Sequence, residues 1–140
     1  MSEQSKVYLA GPINGCTDSE ANDWRWDVRE RVELRGWKAV DPMSRDYRGK
    51  EDGPGAHVHI VTDDLDDISR CRGLLVNAAR PSWGTAMEVR AAWCLGLDIV
   101  AVVPPGVPVS PWLRYHTGDN VMATWGEAVA RLAKLWDDAP

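Results

Sequence analysis

Residues 73 to 96 read Gly-Leu-Leu-Val-Asn-Ala-Ala-Arg-Pro-Ser-Trp-Gly-Thr-Ala-Met-Glu-Val-Arg-Ala-Ala-Trp-Cys-Leu-Gly. The apolar run Leu74-Leu75-Val76 is short and unbroken, as a buried strand is. Pro81, Ser82 and Gly84 interrupt it, and the Ala- and Glu-rich sequence that follows, closed by Gly96, reads as a helix. Strand, tight loop and helix make half of a βαβ unit. The loop sets small side chains and free backbone N–H groups at a helix N-terminus, where the positive end of the macrodipole favours anions. Glu88 falls within about the first turn of this helix. The dipole is expected to hold its carboxylate ionised, which suits a nucleophile better than a proton donor.

The same alternation extends outward in both directions. Lys6 to Ala10 is a short apolar strand broken by Gly11-Pro12-Ile13-Asn14-Gly15. A helix is predicted from about Ser19 or Ala21 to Arg35, with Val28, Val32 and Leu34 as its apolar stripe and Gly36 as its stop. Trp37 to Val40 is a second strand, ended by Asp41-Pro42. Residues 43 to 56 are polar, Gly-rich and without period, which predicts a loop. From His57 the pattern is helical, with Val58, Val61, Leu65 and Ile68 on one side, and Asp63, Asp64, Asp66 and Asp67 predicted as a solvated face. Downstream of Gly96 come a strand from Asp98 to Val103, a Pro/Gly loop over 104 to 120, and an amphipathic helix from Trp125 to Trp136. There is no internal repeat or linker. The order predicts one α/β domain over residues 1 to 140, a doubly wound, flavodoxin-like or Rossmann-like parallel sheet of four to five strands flanked by helices. In such sheets ligands bind beyond the carboxyl ends of the strands. That rule gathers the loops at 11 to 18, 77 to 85 and 104 to 120, and with them Asn14, Ser82, Glu88 and Ser110, around one crevice.

Composition narrows the function. The net charge is −5 and no basic block occurs, which argues against nucleic acid or an anionic membrane as partner. Hydrophobic residues make up 44 % and charged ones 26 %, the balance of a soluble globular protein. Cys16, Cys71 and Cys94 lack CxxC spacing, no stretch is long and apolar enough to span a membrane, and the first residues form no apolar signal segment, so a cytoplasmic location with reduced thiols is expected. Neither G-x-G-x-x-G nor G-x-x-x-x-G-K-[ST] is present, which removes dinucleotide and P-loop chemistry. His57, His59 and His116 have no metal-ligand spacing, and neither metal nor cofactor is expected. Trp24 and Trp83, in or beside loops, are placed to stack on an aromatic ligand.

What remains is Tyr8-x-x-Gly11-Pro12-Ile13, Asp64-Leu65-x-x-Ile68 and Ser82-x-Gly84-Thr85-Ala86-Met87-Glu88. With these motifs the chain resembles, from about Val7 to Val121, the nucleoside 2-deoxyribosyltransferase family and its relatives that hydrolyse the N-glycosidic bond of nucleoside 5′-monophosphates. The resemblance implies that Glu88 is the nucleophile, that Tyr8 positions it, and that Asp64, read as the start of a helix 24 residues earlier, assists the departing base. The residue types suit the reaction. Breaking a nucleoside C1′–N bond passes through an oxocarbenium-like state, and two carboxyl groups divide the work as in retaining glycosidases.

Transferases acting on free nucleosides typically carry an aspartate six residues before the nucleophile, and here that place holds Ser82. A hydroxyl backed by the N–H groups of Trp83 and Gly84 accepts a 5′-phosphate that a carboxylate would repel. The monophosphate hydrolases have a serine there and a second serine supplied by the neighbouring subunit, which Ser110 matches. The resemblance therefore implies a homodimer or larger homo-oligomer with a shared site. Gly11, Ile13, Asn14 and Gly15 resemble the phosphate-contacting loop, although Asn14 stands where some members have arginine. Asp119-Asn120-Val121 instead resembles the free-nucleoside transferases. The expected substrate is a nucleoside 5′-monophosphate with water as acceptor; the alternatives are base exchange between 2′-deoxynucleosides and a non-catalytic nucleotide-binding module. Trp24, Arg25 and Trp83 are the expected base pocket.

Overall fold

The computed structural model describes residues 4 to 137. Five parallel strands, β1 (Lys6–Ala10), β2 (Lys38–Val40), β3 (Gly73–Asn77), β4 (Asp98–Val102) and β5 (Val121–Met122), form one sheet in the order β2-β1-β3-β4-β5. This is the flavodoxin-like order, with the switch in strand direction of travel between β1 and β3. The helices are α1 (Asp18–Leu34), α2 (Ala56–Ser69), α3 (Trp83–Cys94), α4 (Pro111–Thr117) and α5 (Trp125–Asp137).

Strand periodicity divides the core. Val7, Leu9, Leu75, Val100 and Val102 face α1 and α5, meeting Val28, Val32, Leu132 and Trp136. Tyr8, Ala10, Leu74, Val76 and Ala101 face α2 and α3, meeting Ile68, Val89 and Ala92. Because successive strand residues point to opposite faces, a tyrosine at position 8 must project toward α3. Thr17 and Glu20 close a reciprocal capping box that starts α1, with Glu20 N–H on Thr17 Oγ1 at 3.2 Å and Thr17 N–H on the Glu20 carboxylate at 3.0 Å.

Two expectations change. The segment 104 to 120 is not all loop: it holds α4, begun by Pro111 after the cap Ser110, and its end leads into β5. And the apolar stripe of α2 is not a core stripe, for only Ile68 is buried while Val58, Val61 and Leu65 are 51 %, 53 % and 41 % exposed.

Arg25 and Trp24 do not line an open pocket. Arg25 is wholly buried; its Nη1 donates to Leu9 O at 2.7 Å and Asp41 Oδ1 at 3.0 Å, and its Nη2 to Gly11 O at 3.0 Å. These bonds use both terminal nitrogens and tie α1 to the ends of β1 and β2, while Nε is buried without a partner. Trp24 is stacked on Trp125 at 5.1 Å and lies under the Arg25 guanidinium, which is 4.5 Å from its ring centre. Both contacts pack protein against its ring. Removing one partner of a buried ion pair strands the other, at about 3 to 5 kcal/mol. Arg25→Met is therefore expected to lower unfolding stability by about 3 kcal/mol in urea titration; an unchanged midpoint would contradict this role.

Candidate active site

The site lies at the switch point, where the loops leaving β1 and β3 diverge. The first loop turns tightly, Cys16 N–H meeting Ile13 O at 3.1 Å, and Gly15 takes φ of +73°, a value that glycine tolerates without strain. Gly11 is required for a different reason: a Cβ there would collide with the Trp24 ring. Trp24 Nε1–H beside this loop is buried without a hydrogen-bond partner. In the second loop Asn77 Oδ1 accepts Ala79 N–H at 3.1 Å, and Ser82 caps α3 by accepting Thr85 N–H at 3.4 Å. The N–H groups of Trp83 and Gly84 thus sit in a first helical turn that offers them no carbonyl, and the α-carbon of Gly84 faces open space.

Tyr8 and Glu88 meet directly. The fully buried Tyr8 hydroxyl donates to Glu88 Oε2 across 80 residues of sequence. Glu88 lies in the second turn of α3, past the exposed N–H groups, so the dipole does not fix its charge as expected. Burial instead pushes its carboxyl up to about 7; the Tyr8 hydrogen bond pulls down, the Asp64 carboxylate pushes up, and the charge of Arg25 pulls down. Burial and the adjacent Glu88 carboxylate raise the Tyr8 hydroxyl far above the usual phenol range, which keeps it a donor.

Asp64 sits in the second half of α2 rather than at a helix start. Arg45 Nη2 donates to Asp64 Oδ1 at 3.1 Å and to Asp67 Oδ2 at 2.6 Å. Burial raises the Asp64 carboxyl, the Arg45 hydrogen bond and charge oppose it, and Asp67 and Asp63 raise it further. Tyr47 OH donates to Asp63 at 2.9 Å. The aspartate face is therefore not simply solvated, since Arg45 and Tyr47 from the 43 to 56 segment engage it. Aperiodic polar sequence gave no signal for either residue. The charge of Asp64 raises both the Tyr8 hydroxyl and the Glu88 carboxyl, so the three groups act on one another.

The remaining expected residues lie around this group. Trp83, the first residue of α3, is 86 % exposed. Ser110 is exposed and its Oγ accepts Trp112 N–H at 3.2 Å as the cap of α4. Arg80, which the sequence reading did not single out, reaches from the β3–α3 loop to the carbonyl of Asn14 and to Cys16 Sγ. Among the described residues, no cluster of three His, Cys, Asp or Glu side chains is placed to hold a metal ion, and no helix is long and apolar enough to cross a membrane.

Solved structures share this fold at low sequence identity. A conserved protein from Enterococcus faecalis V583 superposes with a TM-score of 0.79 at 13 % identity, over 95 % of this chain and 99 % of that one. The CMP N-glycosidase BcmB of Clostridium botulinum gives 0.62 at 18 % identity, over 92 % and 99 % of the two chains. A 2-deoxyribosyltransferase from Bacillus psychrosaccharolyticus gives 0.68 at 18 %, over 91 % and 96 %. No curated protein sequence matches the chain significantly. The family model for nucleoside 2-deoxyribosyltransferase, however, matches residues 7 to 122, a span that contains Tyr8, Asp64 and Glu88, and the chain belongs to that family.

Proposed function

We propose that the protein hydrolyses the N-glycosidic bond of a nucleoside 5′-monophosphate through a covalent glycosyl ester on Glu88. The observation that carries this reading is the Tyr8–Glu88 hydrogen bond beside a second, raised carboxyl at Asp64. Glu88, ionised, attacks C1′ as the C1′–N bond breaks; Asp64, in its protonated form, hydrogen-bonds to or protonates the departing base, and water then cleaves the ester to free the sugar phosphate. Tyr8 holds the attacking carboxylate in one orientation and supports its charge. Ser82 and the N–H groups of Trp83 and Gly84 receive the phosphate, with the loop of Gly11, Ile13, Asn14 and Gly15 on the other side. Trp83 is the remaining aromatic platform for the base.

A homo-oligomer belongs to this reading. Beyond the exposed stripe of α2, Met87 of α3 and Trp112 and Tyr115 of α4 are 64 %, 77 % and 65 % exposed, apolar surface of the kind that subunit contacts cover. In the assembly Ser110 completes the partner's phosphate site. Mixing Glu88→Ala with Ser110→Asp subunits is then expected to regain activity, because one site of the hybrid has both residues intact. A fully active monomer in sedimentation would refute this arrangement.

The deciding assay offers purified protein each common nucleoside and 5′-monophosphate, with and without a free acceptor base, and follows base release by chromatography. Base released from monophosphates regardless of acceptor is the expected result, and Glu88→Ala should reduce it by on the order of 10³-fold or more. New nucleoside formed only with an acceptor would make the protein a transferase.

Two variants probe the assigned roles. Activity needs ionised Glu88 and should climb as pH rises through about 7. Tyr8→Phe removes a bond that favours the ionised form, so the rising limb should move to higher pH; an unmoved limb would deny Tyr8 this part. Ser82→Asp sets like charge against the phosphate, and the loss of kcat/KM on a monophosphate should exceed that on its nucleoside by about tenfold or more. Equal losses would remove the phosphate from this end of the crevice.

A further inference from the structure

Among the described residues Arg80 makes no ion pair at the mouth of the crevice, although its charge reaches the Glu20 carboxylate. The other arginines flanking the first loop are engaged, Arg25 with Asp41 at 3.0 Å and Arg48 with Asp18 and Asp46 at 2.7 Å each. Arg80 has no carboxylate partner among the described residues. Its Nη2 rests 3.4 Å from the Asn14 carbonyl oxygen and against Cys16 Sγ, long or weak contacts that leave most of the five guanidinium donors unused. Its backbone is held on both sides, by the Asn77 side chain on Ala79 N–H and by Pro81 before the Ser82 cap. The side chain consequently spans from the loop carrying the free N–H groups of α3 to the loop carrying Asn14.

We propose that Arg80 is the specificity-determining cation for the 5′-phosphate. Its fork leaves the Asn14 carbonyl and takes two phosphate oxygens, while the Trp83 and Gly84 N–H groups take the remainder. A planar guanidinium pairs bidentately with a phosphate and gains nothing comparable from a free 5′-hydroxyl. Asn14 brings no charge to the first loop, so the cation comes from the opposite side of the switch point. The inference rests on the monophosphate reading above.

The test compares wild type, Arg80→Gln and Arg80→Lys on the common nucleoside 5′-monophosphates and their nucleosides, with inorganic phosphate as competitive inhibitor. Thermal melting of each variant verifies the fold. Arg80→Gln should raise KM for the monophosphate and Ki for inorganic phosphate together, by about tenfold or more, with kcat little changed. Its loss on the monophosphate should exceed that on the nucleoside, and Arg80→Lys should recover part of it by restoring charge without the fork. Active wild type with an unchanged KM in Arg80→Gln, or equal losses on both substrates, overturns the role of Arg80 alone. Wild type that releases no base from any monophosphate overturns the substrate reading and this inference together.

Discussion

Arg25 brings a full charge into the space between α1 and the carboxyl end of β1, and the geometry of the crevice depends on how that charge is satisfied. Its two terminal nitrogens bind the carbonyls of Leu9 and Gly11 and the carboxylate of Asp41. An isolated buried guanidinium is costly, but one whose partners are fixed becomes a rigid joint. The joint sets where β1 stops, and hence where the first loop begins. It also acts at a distance: the same charge favours ionised Glu88 on the other face of the sheet. One residue thus shapes the crevice and tunes a group within it.

In the proposed mechanism two carboxyl groups share the work, and the fold holds them in different surroundings. Glu88 is reached by a buried phenol, whereas Asp64 shares a guanidinium with Asp67. Both carboxyls are raised by burial, Glu88 to about 7, and at Asp64 the Arg45 hydrogen bond and charge oppose the rise. Tyr8 is central because a strand residue cannot drift: its neighbours Val7 and Leu9 are locked in the opposite layer.

At the other end of the crevice the features proposed to receive the phosphate are backbone N–H groups, an arginine outside any ion pair and a glycine that leaves space. Gly84 adopts no unusual backbone angle and has no neighbour its absent side chain would strike. Its value is the room it leaves at the start of α3. Gly11 works the opposite way, being packed so closely against Trp24 that no side chain fits.

The sequence by itself determined the sheet's central strands, the helices between them and the loops that meet at the switch point, because apolar runs and periodic stripes are local patterns. It also singled out Glu88 and Tyr8, which the fold brings into contact, through motifs of a family whose model spans most of the chain. It did not reveal α4 and β5, since a seven-residue helix and a two-residue edge strand are too short to show a period. Val58, Val61 and Leu65 mark the right helix but not its burial, because a stripe tells which side is apolar and not what covers it. Arg25 reads as a base-pocket residue, and Arg45 and Arg80 as loop charges. Only the tertiary structure decided that the first is buried, that the second grips Asp64 and that the third bridges two loops. Charge state follows the same division: the residue type at position 88 is local, whereas its proton depends on burial, Tyr8, Asp64 and Arg25, groups that only folding brings together.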